Sequence, residues 1–184
     1  IFFRSCTNVN MLTQNKARLF NKDKSEYTFR SLNSITKSIL KAKNKMPNVE
    51  FNIVVIDHNS NKQDLDQIKK QLQNSTIKND IISLDINEFR NDIEKINAKN
   101  ENVTENQISN MSNIYKSLLL SKKESKDLTY FVEDDYIHQP DSIEEMIFTY
   151  ERLSSQLDQE LILCPSDYPY LYTKLEPSSV FIGS

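Results

Sequence analysis

Three adjacent carboxylates, Glu133-Asp134-Asp135, follow the apolar run Leu128 to Val132. Ionised together at the end of a strand they repel one another, and a cation offsets the cost. Carboxylate oxygens suit Mg²⁺ or Mn²⁺. An ion held by one or two carboxylates keeps open positions that suit a diphosphate. There it neutralises charge building on a leaving group. The bland alternative is an acid-rich solvated turn before a helix, favoured by the dipole of the helix that starts near Pro140. Two further polar clusters end apolar runs in the same way, Arg4-Ser5-Cys6 after Ile1-Phe2-Phe3 and Asp57-His58-Asn59-Ser60 after Phe51 to Ile56.

The elements that must position these clusters alternate. Strand-like runs lie at residues 1–3, 51–56, 81–84, 128–132 and 161–163. Between them apolar residues recur at helical spacing: Phe29, Leu32, Ile35, Ile39 and Leu40, then Leu65, Ile68 and Leu72. Residues 87–106 read as a short helix and a surface insertion. Ile108, Met111, Tyr115, Leu118 and Leu119 mark the next helix, its Met and Leu positions read as core. Pro140-Asp141-Ser142 begins another, with Pro near its first helical position and Ile143, Met146, Ile147, Tyr150 and Leu153 on its apolar face. Asp57 to Ser60 carries the start signal of the second helix. This alternation predicts an α/β fold, a mainly parallel sheet with helices on both faces. Ligands of such sheets bind beyond the carboxyl ends of the strands, where all three clusters fall.

Bulk properties narrow the function classes. The chain has 184 residues, enough for one domain with a sizeable core. Net charge is −3 with both signs mixed, and no one-sided basic face points to nucleic acid. Mean hydropathy is −0.60, and no run approaches the ~20 apolar residues of a membrane span. The start of the sequence lacks signal-peptide features. Cys6 and Cys164 stand far apart without a CxxC, so two ordinary thiols in a reducing compartment are expected. A cytoplasmic setting, up to the cytoplasmic face of a membrane, follows as the expectation. Gly183 is the only glycine, which removes the P-loop and GxGxxG phosphate cradles.

Taken in order, these segments resemble family 2-like glycosyltransferases with the GT-A, Rossmann-like fold. Val132-Glu133-Asp134-Asp135-Tyr136 looks like the DXD-type motif of that family. Ile53-Val54-Val55-Ile56-Asp57-His58-Asn59-Ser60 looks like its V-V-D-D-x-S segment, and Ser112-Asn113 sits about where it has A-R-N. The resemblance runs from the first strand to about Leu163. It implies a single nucleotide-sugar-binding domain over residues 1–184, with Mn²⁺ or Mg²⁺ on the diphosphate of a nucleotide-sugar donor and a glycan, lipid or similar acceptor. By the same resemblance Ser5 and Cys6 border the base and Asp57 or His58 meets the base edge. Asp134 lies near ribose and diphosphate and shares the metal with Asp135, the main ligand, and Asn113 is a donor-site contact. Inversion by direct displacement is implied as well.

The sequence also departs from the family. His58 replaces the second Asp of the usual pair, and Arg4 stands where a small residue is common. The first loop is longer, and the acceptor-side half is mostly absent, which suggests part of a longer chain. Asp167 is a weak candidate for the catalytic base, otherwise a loop Asp that caps backbone groups. His138 is a candidate metal ligand. Tyr168, Tyr170 and Tyr172 are candidates to stack on a sugar, otherwise a packed aromatic loop. A non-catalytic transferase-like binding domain is the main alternative. A sugar nucleotidyltransferase lacks its Gly-rich loop here. A receiver domain would place the acidic pair after its first strand.

Overall fold

The computed structural model describes residues 1–8, 22–96 and 103–165, with the side chain of Ile96 left aside. Four parallel strands form one sheet in the order β3-β2-β1-β4. The strands are β1 (Phe2–Ser5), β2 (Asn52–Asp57), β3 (Lys78–Ser83) and β4 (Phe131–Val132). The helices are α1 (Lys24–Lys45), α2 (Lys62–Gln73), α3 (Asn87–Ile96), α4 (Glu105–Glu124) and α5 (Ser142–Leu157). The expected α/β class with a parallel sheet and helices on both faces is what forms.

Alternation along β1 and β2 divides the core. Phe3, Ile53 and Val55 point to one face and pack with Leu32, Ile35 and Ile39 of α1, Ile68 and Leu72 of α2, and Ile143 of α5. Phe2, Val54 and Ile56 point to the other and pack with Phe89 and Ile93 of α3 and Ile108 of α4. Each such side chain contributes roughly 1.5–3 kcal/mol on full burial. A near-continuous apolar run such as Ile53–Ile56 is therefore the mark of a strand covered on both sides.

Several local expectations differ from the structure. Leu161-Ile162-Leu163 does not form a fifth strand. Leu161 makes a single bridge, Ile162 is 72% exposed, and among the described residues the sheet has four strands. Leu118 and Leu119 of α4 are not core, at 51% and 50% exposed, and Tyr115 is 46% exposed. The helix instead turns Ile108, Ser112, Asn113 and Ser117 inward, because part of its buried face lies against polar backbone at the end of β2. The cap of α2 is Asn61, whose side chain accepts from the Asp64 N–H. Pro140 precedes the N-cap Asp141 and stands outside α5.

Candidate functional site

The strand order fixes where the chain reverses. From β1 it builds outward through β2 to β3, then returns to the opposite side of β1 for β4. The crevice of such a sheet lies beyond the carboxyl ends of the two strands that flank the reversal. Here these are β1 and β4, which run parallel with Phe2 opposite Phe131 and Phe3 opposite Val132. Cys6 therefore meets Asp134 across the switch point, while Ser5 turns to Asp57 of β2.

Asp134 is the centre of this meeting. It is 8% exposed. One oxygen accepts from the Lys24 ammonium at 2.5 Å. The other accepts from the Thr28 hydroxyl at 2.8 Å and the Cys6 N–H at 3.2 Å. Lys24 also reaches Asp135 at 3.8 Å. Glu133 pairs with Arg4, whose guanidinium donates a second bond to the Asn110 side chain at 2.7 Å. Burial lowers the Arg4 guanidinium from its ordinary value, and Asp134 and Asp135 act against that. Three carboxylates thus share two side-chain cations.

Asp57, at the end of β2, is built differently. One oxygen accepts from the hydroxyls of Ser5 and Ser60, both at 2.5 Å. The other accepts from the Ser60 N–H at 3.3 Å. Thr7 N–H donates in turn to the Ser60 hydroxyl oxygen, and His58 N–H to the Ser5 carbonyl. The Asx turn after β2 uses Asn59 at φ 63°, a left-handed conformation that Asn tolerates well. This neutral cage ties the ends of β1 and β2 together. The Thr7 hydroxyl oxygen lies in it, buried and without a hydrogen-bond partner among the described residues.

The remaining sequence candidates fall at different depths. Asn113 is 4% exposed and donates its side-chain amide to the Ile56 carbonyl at 2.8 Å, so it supports the end of β2 from α4. The His58 ring pairs with the Ser109 hydroxyl at 2.7 Å. His138 stands apart from the acidic oxygens, paired with the Tyr130 hydroxyl at 2.9 Å. Burial lowers the His138 imidazole and lifts the Tyr130 phenol to about 12. The Cys6 thiol is pushed up to about 11, first by burial and then by Asp134 and Asp57, so it is no nucleophile at neutral pH. Asp167, Tyr168, Tyr170 and Tyr172 lie outside the described residues.

Sequence reasoning missed Lys24, Thr28 and Thr7. All three are polar, and periodicity arguments follow apolar residues. A helix start earlier than Phe29 would have brought Lys24 and Thr28 onto one face, four residues apart.

The donor set bears on the metal. Among the described residues no three His, Cys, Asp or Glu side chains gather as a metal group. Asp134 and Asp135 share one cation, the Lys24 ammonium. Mg²⁺-type sites commonly use one or two carboxylates and leave the other positions to water and substrate phosphates. Among the described residues the pair does not form a protein-only cage for an ion. A shallow groove lined by Leu40, Lys43, Asn44, Pro47 and Thr76 lies near the starts of β2 and β3, away from these groups. Among the described residues no helix is long and apolar enough to cross a membrane. No family model matches the chain, and neither a curated protein nor a solved structure matches it.

Proposed function

We propose that the β1/β4 crevice binds a nucleotide-diphosphate sugar and that the protein is a glycosyltransferase of GT-A type. The observation that carries this reading is the meeting of Cys6, Asp57 and Asp134 at one end of a parallel sheet of order β3-β2-β1-β4. Asp134 and Asp135 would hold Mn²⁺ or Mg²⁺ together with the diphosphate. Such an ion supplies the neutralisation of charge on a departing nucleoside diphosphate. Ser5 and Asp57 hold the end of β1 against β2, and the Thr7 hydroxyl beside them is a group for the ribose or base. A glycan or lipid acceptor, and a cytoplasmic setting, belong to the same proposal.

The second reading is a transferase-like domain that binds without turnover. One observation favours it: Arg4 and Lys24 already compensate the acidic run from within. Calorimetric titration of UDP, then GDP, with and without Mn²⁺ tests the donor site on the parent and on Asp135→Ala. Metal-dependent binding that is lost in the variant is the expected result. No binding of either nucleotide returns the acidic run to an ion-paired turn. Donor binding without transfer or hydrolysis in any acceptor mixture would favour the second reading.

A further inference from the structure

We propose that the outward face of α4 docks on an anionic lipid surface. The face consists of Ile114, Tyr115, Leu118 and Leu119, with Lys122 and Lys123 at its C-terminal end.

α4 is turned the opposite way from α2. α2 buries Ile68 and Leu72 and leaves its charged residues outside, the ordinary arrangement of a surface helix. α4 buries Ile108 near its start and then Ser112, Asn113 and Ser117. Polar atoms of this inner face serve the fold: the Asn113 amide donates to the Ile56 carbonyl, and the Ser117 hydroxyl to the Asn113 carbonyl. Ile114, Tyr115, Leu118 and Leu119 are left between 43% and 51% exposed. Residues four apart stand one above another on a helix, so these four form two adjoining rows, 114–118 and 115–119. Lys122 and Lys123 are the next residues of the same rows, and both are exposed. The Tyr115 ring packs against Phe89 of α3 with centroids 5.3 Å apart, which holds its row in place.

An exposed apolar patch of this kind marks an interaction surface, and charge decides what covers it. From Asn106 to Lys123 the chain carries three lysines and no carboxylate, in a protein with 26 acids and a net charge of −3. An anionic surface is repelled by the molecule as a whole and attracted here. Lys116 is committed to Glu88 at 2.8 Å, whereas Lys122 and Lys123 make no ion pair among the described residues. Glu124 and Asp127 bound the basic end, with Lys126 between them. The core of a protein–protein interface is depleted in Lys, whose strongly hydrated ammonium resists burial. At a bilayer the ammonium stays among the headgroup phosphates while its stem lies along the apolar rows. Two apolar rows that each end in lysine therefore fit a lipid surface better than a second protein.

Co-sedimentation with vesicles tests the face, and it needs no nucleotide, so its outcome is separate from that of the donor site. The parent is compared with two double variants, Leu118→Ser with Leu119→Ser and Lys122→Gln with Lys123→Gln, each checked for folding by thermal melting. The vesicles are phosphatidylcholine alone and phosphatidylcholine with about a third phosphatidylserine, at low and at high salt. The parent is expected to bind the phosphatidylserine vesicles about tenfold more tightly than phosphatidylcholine alone, and to lose that difference at high salt. Loss of the lysines should weaken binding about fivefold for each one. Loss of the two leucines should weaken it about tenfold on either vesicle. The lysine pair, exposed at the end of α4, carries the test should the serine pair fail to fold. No binding to phosphatidylserine vesicles, or binding unchanged in either folded variant, overturns the proposal. A parent that is dimeric by light scattering and is returned to monomer by the serine pair overturns it too, since a second copy then covers the face.

Discussion

Asp57 and Asp134 occupy comparable places and are held by opposite means. Each lies at the carboxyl end of a strand, Asp57 5% exposed and Asp134 8% exposed. Asp57 is closed by neutral donors, the Ser5 and Ser60 hydroxyls and a backbone N–H. Asp134 takes a hydroxyl and an N–H on one oxygen and the Lys24 ammonium on the other. A neutral cage satisfies a buried carboxylate at short range and fixes two strand ends, with no charge in it to exchange. A cation partner satisfies the charge as well. The first arrangement is closed by neutral donors, the second by an ion pair.

The largest effect expected from this contrast is at Asp134. Asp134→Ala leaves the Lys24 ammonium buried without its close partner, a loss of about 3 kcal/mol. Urea denaturation midpoints measure it. The double variant Lys24→Met with Asp134→Ala should recover a substantial part of that loss, which shows that the pair is coupled through charge. Asp57→Ala strands two hydroxyls and an N–H, at a cost of about 2 kcal/mol. No removal of a nearby charge should recover it. Recovery at Asp57, or none at Asp134, would erase the distinction between the two sites.

Asn113→Ala sharpens the comparison from the side of α4. It strips the Ile56 carbonyl of its side-chain donor, and a loss of about 1 kcal/mol is expected by the same assay. Nucleotide affinity should move less than in Asp135→Ala, since the amide is turned into the fold.

Smaller still is the acid response of His138. Burial depresses its folded value below the unfolded value of about 6.5. The unfolded chain therefore binds the proton more readily. The stability from neutral His138 is fully present above about pH 6.5 and is lost as pH falls below it, at no more than about 1.4 kcal/mol per pH unit for one proton. His138→Gln should flatten that part of the stability–pH curve. The smallest expected effect is chemical: iodoacetamide at pH 8 should label exposed Cys164 well before Cys6, whose thiol burial pushes up to about 11. Mass-spectrometric time courses read the order.

Much of the fold was legible because apolar residues carried it. Ile53–Ile56 reads as a strand covered on both sides, and Leu32, Ile35 and Ile39 mark the face of α1 that packs under it. Illegible parts were those where polar atoms decide packing. The inner face of α1 also carries Thr28, Ser31, Thr36 and Ser38, and Ser38 accepts the Ile143 N–H of α5. These residues dilute the periodic signal, so the helix reads from Phe29 and Lys24 falls in apparent loop. Leu161-Ile162-Leu163 erred the other way. Its composition is strand-like, yet a strand exists only by its hydrogen-bonded neighbours, and Leu161 makes one bridge. Of the site, the acidic run and the two other strand ends were visible as clusters. Their internal cations were not, because pairing between Lys24 and Asp134 spans 110 residues of sequence.

The most direct test of the central claim is an amide NMR titration with UDP and then GDP in Mg²⁺. The account predicts saturable shifts at Cys6, Thr7, Asp134 and Asp135, absent without the metal, with Leu40 and Thr76 of the opposite groove unmoved. Shifts confined to that groove, or no saturable shift at the β1/β4 crevice with either nucleotide, would contradict it.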